Sequence, residues 1–276
     1  MPVVLDGRAT TDKVMEELAA EVEKLAVKGV TPGLALVLTG DDKFSARYVK
    51  LKQKRAESIG MYCEFHHLEQ TTDDELVALV EKLNKDPKIH GIMVQLPLAE
   101  GLDELKAVDA IDPAKDVDGL SPNTLGKVLM GEDCFIPAGV EAIMELFKRY
   151  DLDPNRKHWV IVGSSNFLSK PLAAYVMNLS SNVTQVDEGC PHIAKRVKDA
   201  DVISTEIGKK HFITGDMVKD GVIIIDNGNN YEGKNVYGDV DPSALEKSSA
   251  YTPVPGGVGP LLISMLLRNT IKAASK

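Results

Sequence analysis

Residues 158–188 read HWVIVGSSNFLSKPLAAYVMNLSSNVTQVDE, and this stretch decides the fold class. An apolar, strand-like run ends at Gly163, a helical segment follows, and a second strand-like run ends in Asp187 and Glu188. A strand, a glycine turn, a helix and a second strand ending in acidic residues form the layout of a dinucleotide-binding βαβ unit. The later glycines of a GxGxxG motif are missing, so the pattern alone fits a plain strand–turn–helix of an α/β core equally well.

The rest of the chain repeats this alternation of strand and helix signals. Short apolar runs typical of buried strands occur at 33–40 and 89–96. Amphipathic helices are predicted over 10–29 and 43–59. Repeated β–α units predict a mostly parallel sheet with helices on both faces. At 276 residues the chain is long enough for two domains, so we predict a two-domain α/β fold.

Composition and charge exclude several classes of function. Hydrophobic residues make up 43% and charged residues 26%, as in ordinary globular proteins, and the net charge of -9 disfavours nucleic acid as a partner. The sequence contains no apolar run of membrane-span length and no signal-peptide core, so we expect a cytoplasmic protein without a membrane partner. Cys63, Cys134 and Cys190 are widely spaced, which predicts reduced thiols and neither a disulfide framework nor a metal site.

A tyrosine and a lysine share one face of the predicted helix over 43–59, which Ser45 is expected to cap. Tyr48 and Lys52 are four residues apart, which places them roughly 6 Å apart along the helix axis. A ring at this position can stack on a flat substrate, while the neighbouring amine polarises it or transfers a proton. An isolated pair of this kind is more often a solvated surface feature.

Two further segments place polar groups where ligands bind in α/β proteins. In GIMVQLPL (91–98), Gln95 lies at the carboxyl end of an apolar strand, where it can orient a substrate or simply bond to its own loop. In KDVDG (115–119), Asp116 and Asp118 offer carboxylates that can accept paired N–H groups of a pterin-like ring. A plain turn remains an alternative, and a metal site is disfavoured because no further ligand stands at suitable spacing.

The segment TPVPGGVGP (252–260) is the least ordinary stretch of the chain. It holds three prolines and three glycines in nine residues, which predicts a rigid loop whose backbone a ligand can approach closely. Loops of this kind often bind ligands through their amides.

Taken together and in this order, YVKLK (48–52), GIMVQLPL, KDVDG, the turn at Gly163 and TPVPGGVGP resemble the methylenetetrahydrofolate dehydrogenase/cyclohydrolase family over nearly the whole chain. The resemblance implies a folate-binding catalytic domain from residues 1–139 and 254–276, and a Rossmann-like dinucleotide-binding domain from residues 140–253. It also implies an active cleft between the domains, tetrahydrofolate derivatives as ligands, and a homodimer.

The resemblance also implies roles for individual residues. Lys52 corresponds to the catalytic lysine, Gln95 would orient it, Tyr48 would stack on the aminobenzoyl ring of the folate, and Asp118 would bind the pterin. A larger group is expected to line the folate side of the site: Val94, Leu96, Pro255, Gly256 and Gly257.

The nucleotide-binding residues depart from the family pattern. GRSxxVGxP is replaced by GSSNFLSKP, so that Ser164 stands where the family has arginine, and the CHS stretch is replaced by Val186, Asp187 and Glu188. A carboxylate at the end of the second strand accepts hydrogen bonds from a ribose diol and repels a 2′-phosphate, so we expect NAD rather than NADP. The residues expected to bind it are Gly163, Ser164, Ser165, Asp187, Glu188 and Gly208.

The resulting prediction is an enzyme that oxidises 5,10-methylenetetrahydrofolate with NAD and hydrolyses the methenyl product to 10-formyltetrahydrofolate. Two alternatives stay open, which are a monofunctional dehydrogenase and a folate-binding protein without catalysis. The altered turn at 163–171 suggests the second alternative, whereas the presence of Tyr48, Lys52, Gln95 and Asp118 disfavours the first.

Overall fold

The computed structural model describes residues 1–276 as an α/β protein with eleven strands and ten helices. The strands are β1 (Val3–Val4), β2 (Gly33–Thr39), β3 (Tyr62–Leu68), β4 (Gly91–Val94), β5 (His158–Val162), β6 (Asn182–Val186), β7 (Val202–Thr205), β8 (Ile223–Asp226), β9 (Asn230–Glu232), β10 (Asn235–Tyr237) and β11 (Ala250–Tyr251). The helices are α1 (Gly7–Val27), α2 (Lys43–Ser58), α3 (Asp73–Lys85), α4 (Glu104–Asp109), α5 (Pro122–Met130), α6 (Ala138–Arg149), α7 (Ser169–Asn178), α8 (Ile193–Val197), α9 (Pro242–Lys247) and α10 (Val258–Ala274).

The chain forms two compact units, each assembled from separate segments. The first unit consists of residues 1–12, 128–131 and 139–262, and the second of residues 13–127, 132–138 and 263–276. This division differs from the boundaries expected from the sequence, because residues 1–12, 128–131 and 254–262 of the expected catalytic half belong to the first unit. The physical reason is that β1 pairs with β11, and the Gly7 amide donates to the Gly256 carbonyl oxygen at 2.9 Å.

The first unit is built on a six-stranded parallel sheet in the order β1-β11-β8-β7-β5-β6. Its central strands are buried along their whole length, as expected for a parallel sheet covered on both faces. Val160 and Val162 of β5, Ile203 of β7 and Ile224 of β8 join one buried core. The carboxyl ends of β5, β6 and β7 therefore lie along one edge, where open α/β sheets bind ligands.

The second unit contains a three-stranded parallel sheet in the order β3-β2-β4. Every residue of the central strand β2, GLALVLT, is buried. A capping box formed by Thr72 and Glu75 opens α3, whose apolar face packs into the core with residues of β2 and β4. In the last helix, Asn269 donates its side-chain amide to the carbonyl oxygens of Val117 and Ile136, at 3.0 Å each.

The start of one helix and the cap of another differ from the sequence expectations. Helix α1 begins at Gly7 rather than at residue 10, and Asp6 Oδ1 accepts the Arg8 and Ala9 amides there. Helix α2 is capped by Asp42, whose carboxylate accepts the Ser45 amide, so Ser45 is not the cap. Helix α10 begins inside the proline–glycine loop. None of the helices combines the length and the apolar character needed to cross a bilayer.

Candidate active site

The second unit buries a lysine beside an aromatic ring. Lys52 is only 5% exposed, and its Nζ lies 4.5 Å from the centroid of the Tyr48 ring. The helix α2 that carries both side chains also buries Val49 and Ala56. The four-residue spacing therefore places the pair side by side, as the sequence predicts, but toward the interior rather than in solvent.

Gln95 holds the lysine amine from the carboxyl end of β4. Its Oε1 accepts a hydrogen bond from Lys52 Nζ at 2.9 Å, and its Nε2 donates to the Leu96 carbonyl oxygen at 2.6 Å. Because the amide nitrogen is used by the backbone, the amide oxygen faces the amine. The Sδ of Met93, a weakly polar atom, lies 3.5 Å from the same Nζ.

Burial brings the pKa of Lys52 close to neutral pH, where the amine can exchange protons. Burial lowers the pKa of Lys52 to about 8, and the negative charge of Asp118 partly opposes this change. Burial raises the pKa of the Asp118 carboxyl, while the positive charge of Lys52 lowers it. Burial, and then the charge of Asp118, raise the pKa of the Tyr48 hydroxyl to about 12. A buried amine with a lowered pKa, next to a carboxylate, is typical of a site of general acid–base chemistry.

The two carboxylates of KDVDG have different surroundings. Asp116 is 1% exposed, and its oxygens accept hydrogen bonds from the amides of Gly119, Leu120 and Ser121 and from the Thr124 hydroxyl. Asp116 therefore holds the loop and the start of α5 in place. Asp118 is only partly exposed, and none of its carboxylate oxygens has such a loop partner. Asp118 is therefore the carboxylate available for a ligand. Residue types alone leave this choice open, and the family resemblance assigns it to Asp118.

The remaining folate-side predictions fall in different surroundings. The side chain of Val94 is 3% exposed and packs into the core around β2. Leu96 is partly exposed after the end of β4. Gly256, at φ 121°, follows the exposed Pro255, and Gly257 packs against Thr252. Pro255, Gly256 and Gly257 belong to the first unit.

The turn after β5 is tight and internally bonded. Gly163 has φ 154°, and a Cβ there would lie 2.5 Å from Ser169 Oγ, so only glycine fits. The Ser165 hydroxyl accepts the Leu168 amide at 3.2 Å and the Ser169 amide at 3.1 Å. Ser164 and the two residues after Ser165 are exposed around it. A glycine turn with exposed backbone at the carboxyl end of a parallel strand fits the pyrophosphate of a dinucleotide.

The acidic residues after β6 are exposed at the same edge of the sheet as this turn. Asp187 accepts the Gly189 amide at 2.9 Å through Oδ1. Glu188 forms an ion pair of 2.9 Å with Lys209, a residue of the loop after β7. The sequence analysis missed this partner, because the two residues are far apart in the chain. The signal that could have found it is the KK pair directly after Gly208, at the same edge of the sheet.

A buried carboxylate network shapes the loop after β7. Asp239 is fully buried and accepts the amides of Ile207, Gly208 and Lys209, at 2.7 to 3.1 Å. Gly208, at φ 75°, is thereby fixed in a conformation that favours glycine. Asp226 accepts the Asp239 amide at 3.0 Å, and burial raises the pKa of its carboxyl to about 6. The network fixes the position of Gly208, one of the residues expected to bind the nucleotide.

Comparison with known proteins agrees with this geometry. The sequence profile described as tetrahydrofolate dehydrogenase/cyclohydrolase, catalytic domain, matches residues 5–118, and the profile of the NAD(P)-binding domain of the same family matches residues 137–276. The bifunctional protein FolD of Moorella thermoacetica is 44% identical over 276 residues, covering 99% of both chains.

Solved structures show the same relationship. The bifunctional enzyme FolD, methylenetetrahydrofolate dehydrogenase/cyclohydrolase, of Campylobacter jejuni superimposes with a TM-score of 0.97 at 39% identity, over 100% of this chain and 99% of that one. The methylenetetrahydrofolate dehydrogenase-cyclohydrolase of Trypanosoma brucei, complexed with NADP and an inhibitor, superimposes with a TM-score of 0.93 at 32% identity, over 99% and 97% of the two chains. The expected two-domain α/β fold with a Rossmann-like half and the expected family are both confirmed, and the chain belongs to the tetrahydrofolate dehydrogenase/cyclohydrolase family.

Proposed function

We propose that this protein oxidises 5,10-methylenetetrahydrofolate to the 5,10-methenyl form and hydrolyses that product to 10-formyltetrahydrofolate. The observation that carries the proposal is the bond of 2.9 Å between Lys52 Nζ and Gln95 Oε1, in a buried pocket that also holds Tyr48. The family and the relatives named above are bifunctional in the same two reactions. The residues of this cluster are intact, which disfavours a folate-binding protein without catalysis.

The folate is positioned by side chains of the second unit. We assign the Asp118 carboxylate to N–H donors of the pterin, because Asp116 is already used by its own loop. The Tyr48 ring would stack on the aminobenzoyl group. Leu96, after β4, would line the same ligand.

Lys52 would move the proton in the hydrolytic step. Water adds to the electrophilic methenyl carbon, and the neutral amine accepts a proton from that water. The ammonium then returns a proton to the folate nitrogen as its bond to the carbon breaks, which leaves the formyl group on the other nitrogen. The hydroxyl on the former methenyl carbon loses its own proton as the carbonyl forms, so one proton is released overall. Because the pKa of Lys52 is lowered to about 8, the amine can both accept a proton from water and return one to the folate nitrogen near neutral pH.

The oxidative step requires a dinucleotide, whose nicotinamide ring supplies the hydride acceptor. Gly163 and the turn that follows it would hold the pyrophosphate, and Gly208 would support the same ligand from the loop after β7. The oxidation needs no proton donor on the one-carbon group, so the role of the folate pocket in this step is to position the substrate.

We propose NAD as the preferred dinucleotide. Asp187 and Glu188 stand where a ribose diol would be bound, and Ser164 offers no positive charge to a 2′-phosphate. The ion pair of Glu188 with Lys209 weakens the repulsion, since Lys209 neutralises one of the two charges. NADP, which the Trypanosoma brucei relative binds, would find that lysine nearby. We therefore expect a preference of about tenfold for NAD, the ratio that roughly 1.4 kcal/mol gives.

A spectrophotometric assay tests the two reactions together. Purified protein is mixed with methylenetetrahydrofolate and either NAD or NADP, and reduction of the dinucleotide is followed in parallel with the disappearance of added methenyltetrahydrofolate. We expect both activities, with the higher kcat/KM for NAD. Dinucleotide reduction without methenyl hydrolysis would instead support a monofunctional dehydrogenase. Folate binding without either reaction would overturn the assignment as an enzyme.

The oligomeric state and the cellular location are part of the same proposal. We propose a homodimer, as the family resemblance implies, and a cytoplasmic location. Light scattering coupled to gel filtration measures the first property. A mass of one chain at enzyme concentrations used in the assay would contradict it.

A further inference from the structure

The turn after β5, residues 163–169, is the nucleotide turn, and it contacts a carboxylate that the proposed reaction does not use. Glu206 directly follows β7, and its Oε2 accepts the Ser165 hydroxyl at 2.5 Å and the Ser169 hydroxyl at 2.8 Å. Its backbone lies against the turn, since a Cβ on Gly163 would lie 3.2 Å from the Glu206 carbonyl oxygen. The carboxylate therefore lies directly against the residues expected to bind a pyrophosphate.

The hydrogen bonds of Glu206 determine which acceptor the backbone amides of the turn bond to. The Ser165 hydroxyl has one proton, which it donates to Glu206, and its oxygen then accepts the amides of Leu168 and Ser169. These two amides belong to the start of α7, where an anion would otherwise be bound. Glu206 thus fixes Ser165 in the orientation that keeps both amides bonded within the protein.

The negative charge of Glu206 also disfavours the binding of an anion at the turn. Burial raises the pKa of its carboxyl, as does the charge of Asp239, whereas the two serine hydroxyls favour the charged form. A carboxylate in a partly buried turn repels the two negative charges of a pyrophosphate, and the lower dielectric there strengthens the repulsion.

We propose that Glu206 is a positioning residue that weakens binding of the dinucleotide, through its own charge and through Ser165, so that this turn binds NAD less tightly than a neutral turn would. The inference rests on the proposed function, because it assumes that the turn receives a dinucleotide pyrophosphate. Weaker binding suits a dinucleotide that must leave after each turnover, and the turn would gain affinity if the carboxylate became neutral.

The test is isothermal titration of the full-length protein with NAD, in the absence of folate, so that binding rather than activity is measured. Glu206→Gln keeps an oxygen acceptor for both serines and removes the charge, and we expect it to bind NAD on the order of tenfold more tightly. Glu206→Ala, a second neutral variant, should shift the Kd in the same direction. Glu206→Asp keeps the charge and should stay within about threefold of the wild type.

Two controls separate charge from a general structural effect. Glu246→Gln removes the same charge from an exposed position of α9 and should leave the Kd unchanged. Adenosine, which lacks phosphate, is measured by equilibrium dialysis, and its Kd should be the same for wild type and Glu206→Gln. Thermal melting shows which variants are folded.

The outcomes distinguish the inference from the proposed function. A wild-type protein that binds neither NAD nor NADP would overturn the proposed function, and the inference with it. A wild type that binds NAD, with folded Gln and Ala variants that bind it no more tightly, would overturn the inference alone. Equal tightening for adenosine, or for the Asp variant, would also overturn it. Tighter NAD binding confined to the two neutral variants would support it.

Discussion

The lysine pocket of the second unit and the nucleotide turn of the first unit are built on opposite principles. The pocket depends on side chains that regular elements hold fixed, and Lys52 on α2 meets Gln95 after β4 through a single short hydrogen bond. The turn depends on backbone amides and on exposed charges, such as the pair of Glu188 with Lys209. Chemistry encoded in buried side chains survives sequence change only if the residues are kept, whereas a backbone turn tolerates substitutions that alter its affinity.

Removal of the lysine amine should affect the pocket more than any other single change. Lys52→Met is expected to lower methenyl hydrolysis by roughly 10²- to 10⁴-fold, because a positioned proton-transfer group is lost. Folate binding should be largely kept, since the Tyr48 ring and Asp118 remain. The rate is measured from the decay of methenyltetrahydrofolate after subtraction of the uncatalysed reaction.

The matched control for this change lies on the same helix. Lys50 is exposed two residues before Lys52, and Lys50→Met should hydrolyse the substrate at the wild-type rate. A Lys52→Met variant that also retains the wild-type rate would show that the buried amine is not the proton-transfer group.

The second change tests whether the two carboxylates of KDVDG have separate duties. Asp118→Asn should weaken folate binding by roughly 10- to 100-fold and leave NAD binding unchanged, because one charge-assisted hydrogen bond contributes about 1.5–3 kcal/mol. Titration with tetrahydrofolate and with NAD measures both constants. Equal losses for the two ligands would point to a structural turn instead.

Asp116 provides the comparison for Asp118. Its oxygens are used by three amides and one hydroxyl of its own loop, so Asp116→Asn should lower the melting temperature of the protein before it affects either ligand selectively. A stable Asp116→Asn variant with a specific loss of folate affinity would exchange the roles assigned to the two residues.

The nucleotide site should respond more weakly than the lysine pocket. The double variant Ser164→Arg, Glu188→Ser supplies a cation and removes a carboxylate, and it should change the ratio of kcat/KM for NAD over NADP by about tenfold toward NADP. The single variant Lys209→Met removes the ion pair and should shift the ratio slightly toward NAD. A ratio that is unchanged in the double variant would show that these positions do not contact the ribose.

The pH profile of hydrolysis should change least of all. Hydrolysis should rise with pH through about 8, where Lys52 loses its proton and becomes able to accept one from water. Asp118 raises the pKa of Lys52, so Asp118→Asn should move the midpoint of the profile to lower pH. A shift to higher pH would contradict the assigned charge interaction.

The side-chain pocket could be predicted from the sequence for a physical reason. A spacing of four residues on a helix fixes which side chains share a face, so the spacing alone was enough to pair Tyr48 with Lys52. The carboxyl end of an apolar strand marks the ligand edge, which located Gln95. The choice between Asp116 and Asp118 came from the family resemblance and not from residue types or spacing, because it depends on which loop amides each carboxylate accepts.

The nucleotide side was less predictable because its decisive contacts are distant in the chain. Glu188 follows β6 and Lys209 follows β7, and the two meet because these strands end at the same edge of one parallel sheet. Glu206 likewise reaches Ser165 from the neighbouring strand. The core position of Val94 follows from its place on β4, which a motif match does not reveal. The segment boundaries also depended on long-range pairing, since β1 finds its partner β11 near the other end of the chain.

The hydrogen bonds of Asn269 affect how the chain folds while it is being synthesised. The carbonyl groups of Val117 and Ile136 receive their hydrogen bonds from a residue in the final helix, so the loop that bears Asp118 lacks this anchor until translation is almost complete. Chains are synthesised from the N-terminus and fold as segments emerge, so residues 13–127 and 132–138 must wait, partly assembled, for residues 263–276. A nascent or prematurely terminated chain therefore carries Lys52 without a finished pocket around it.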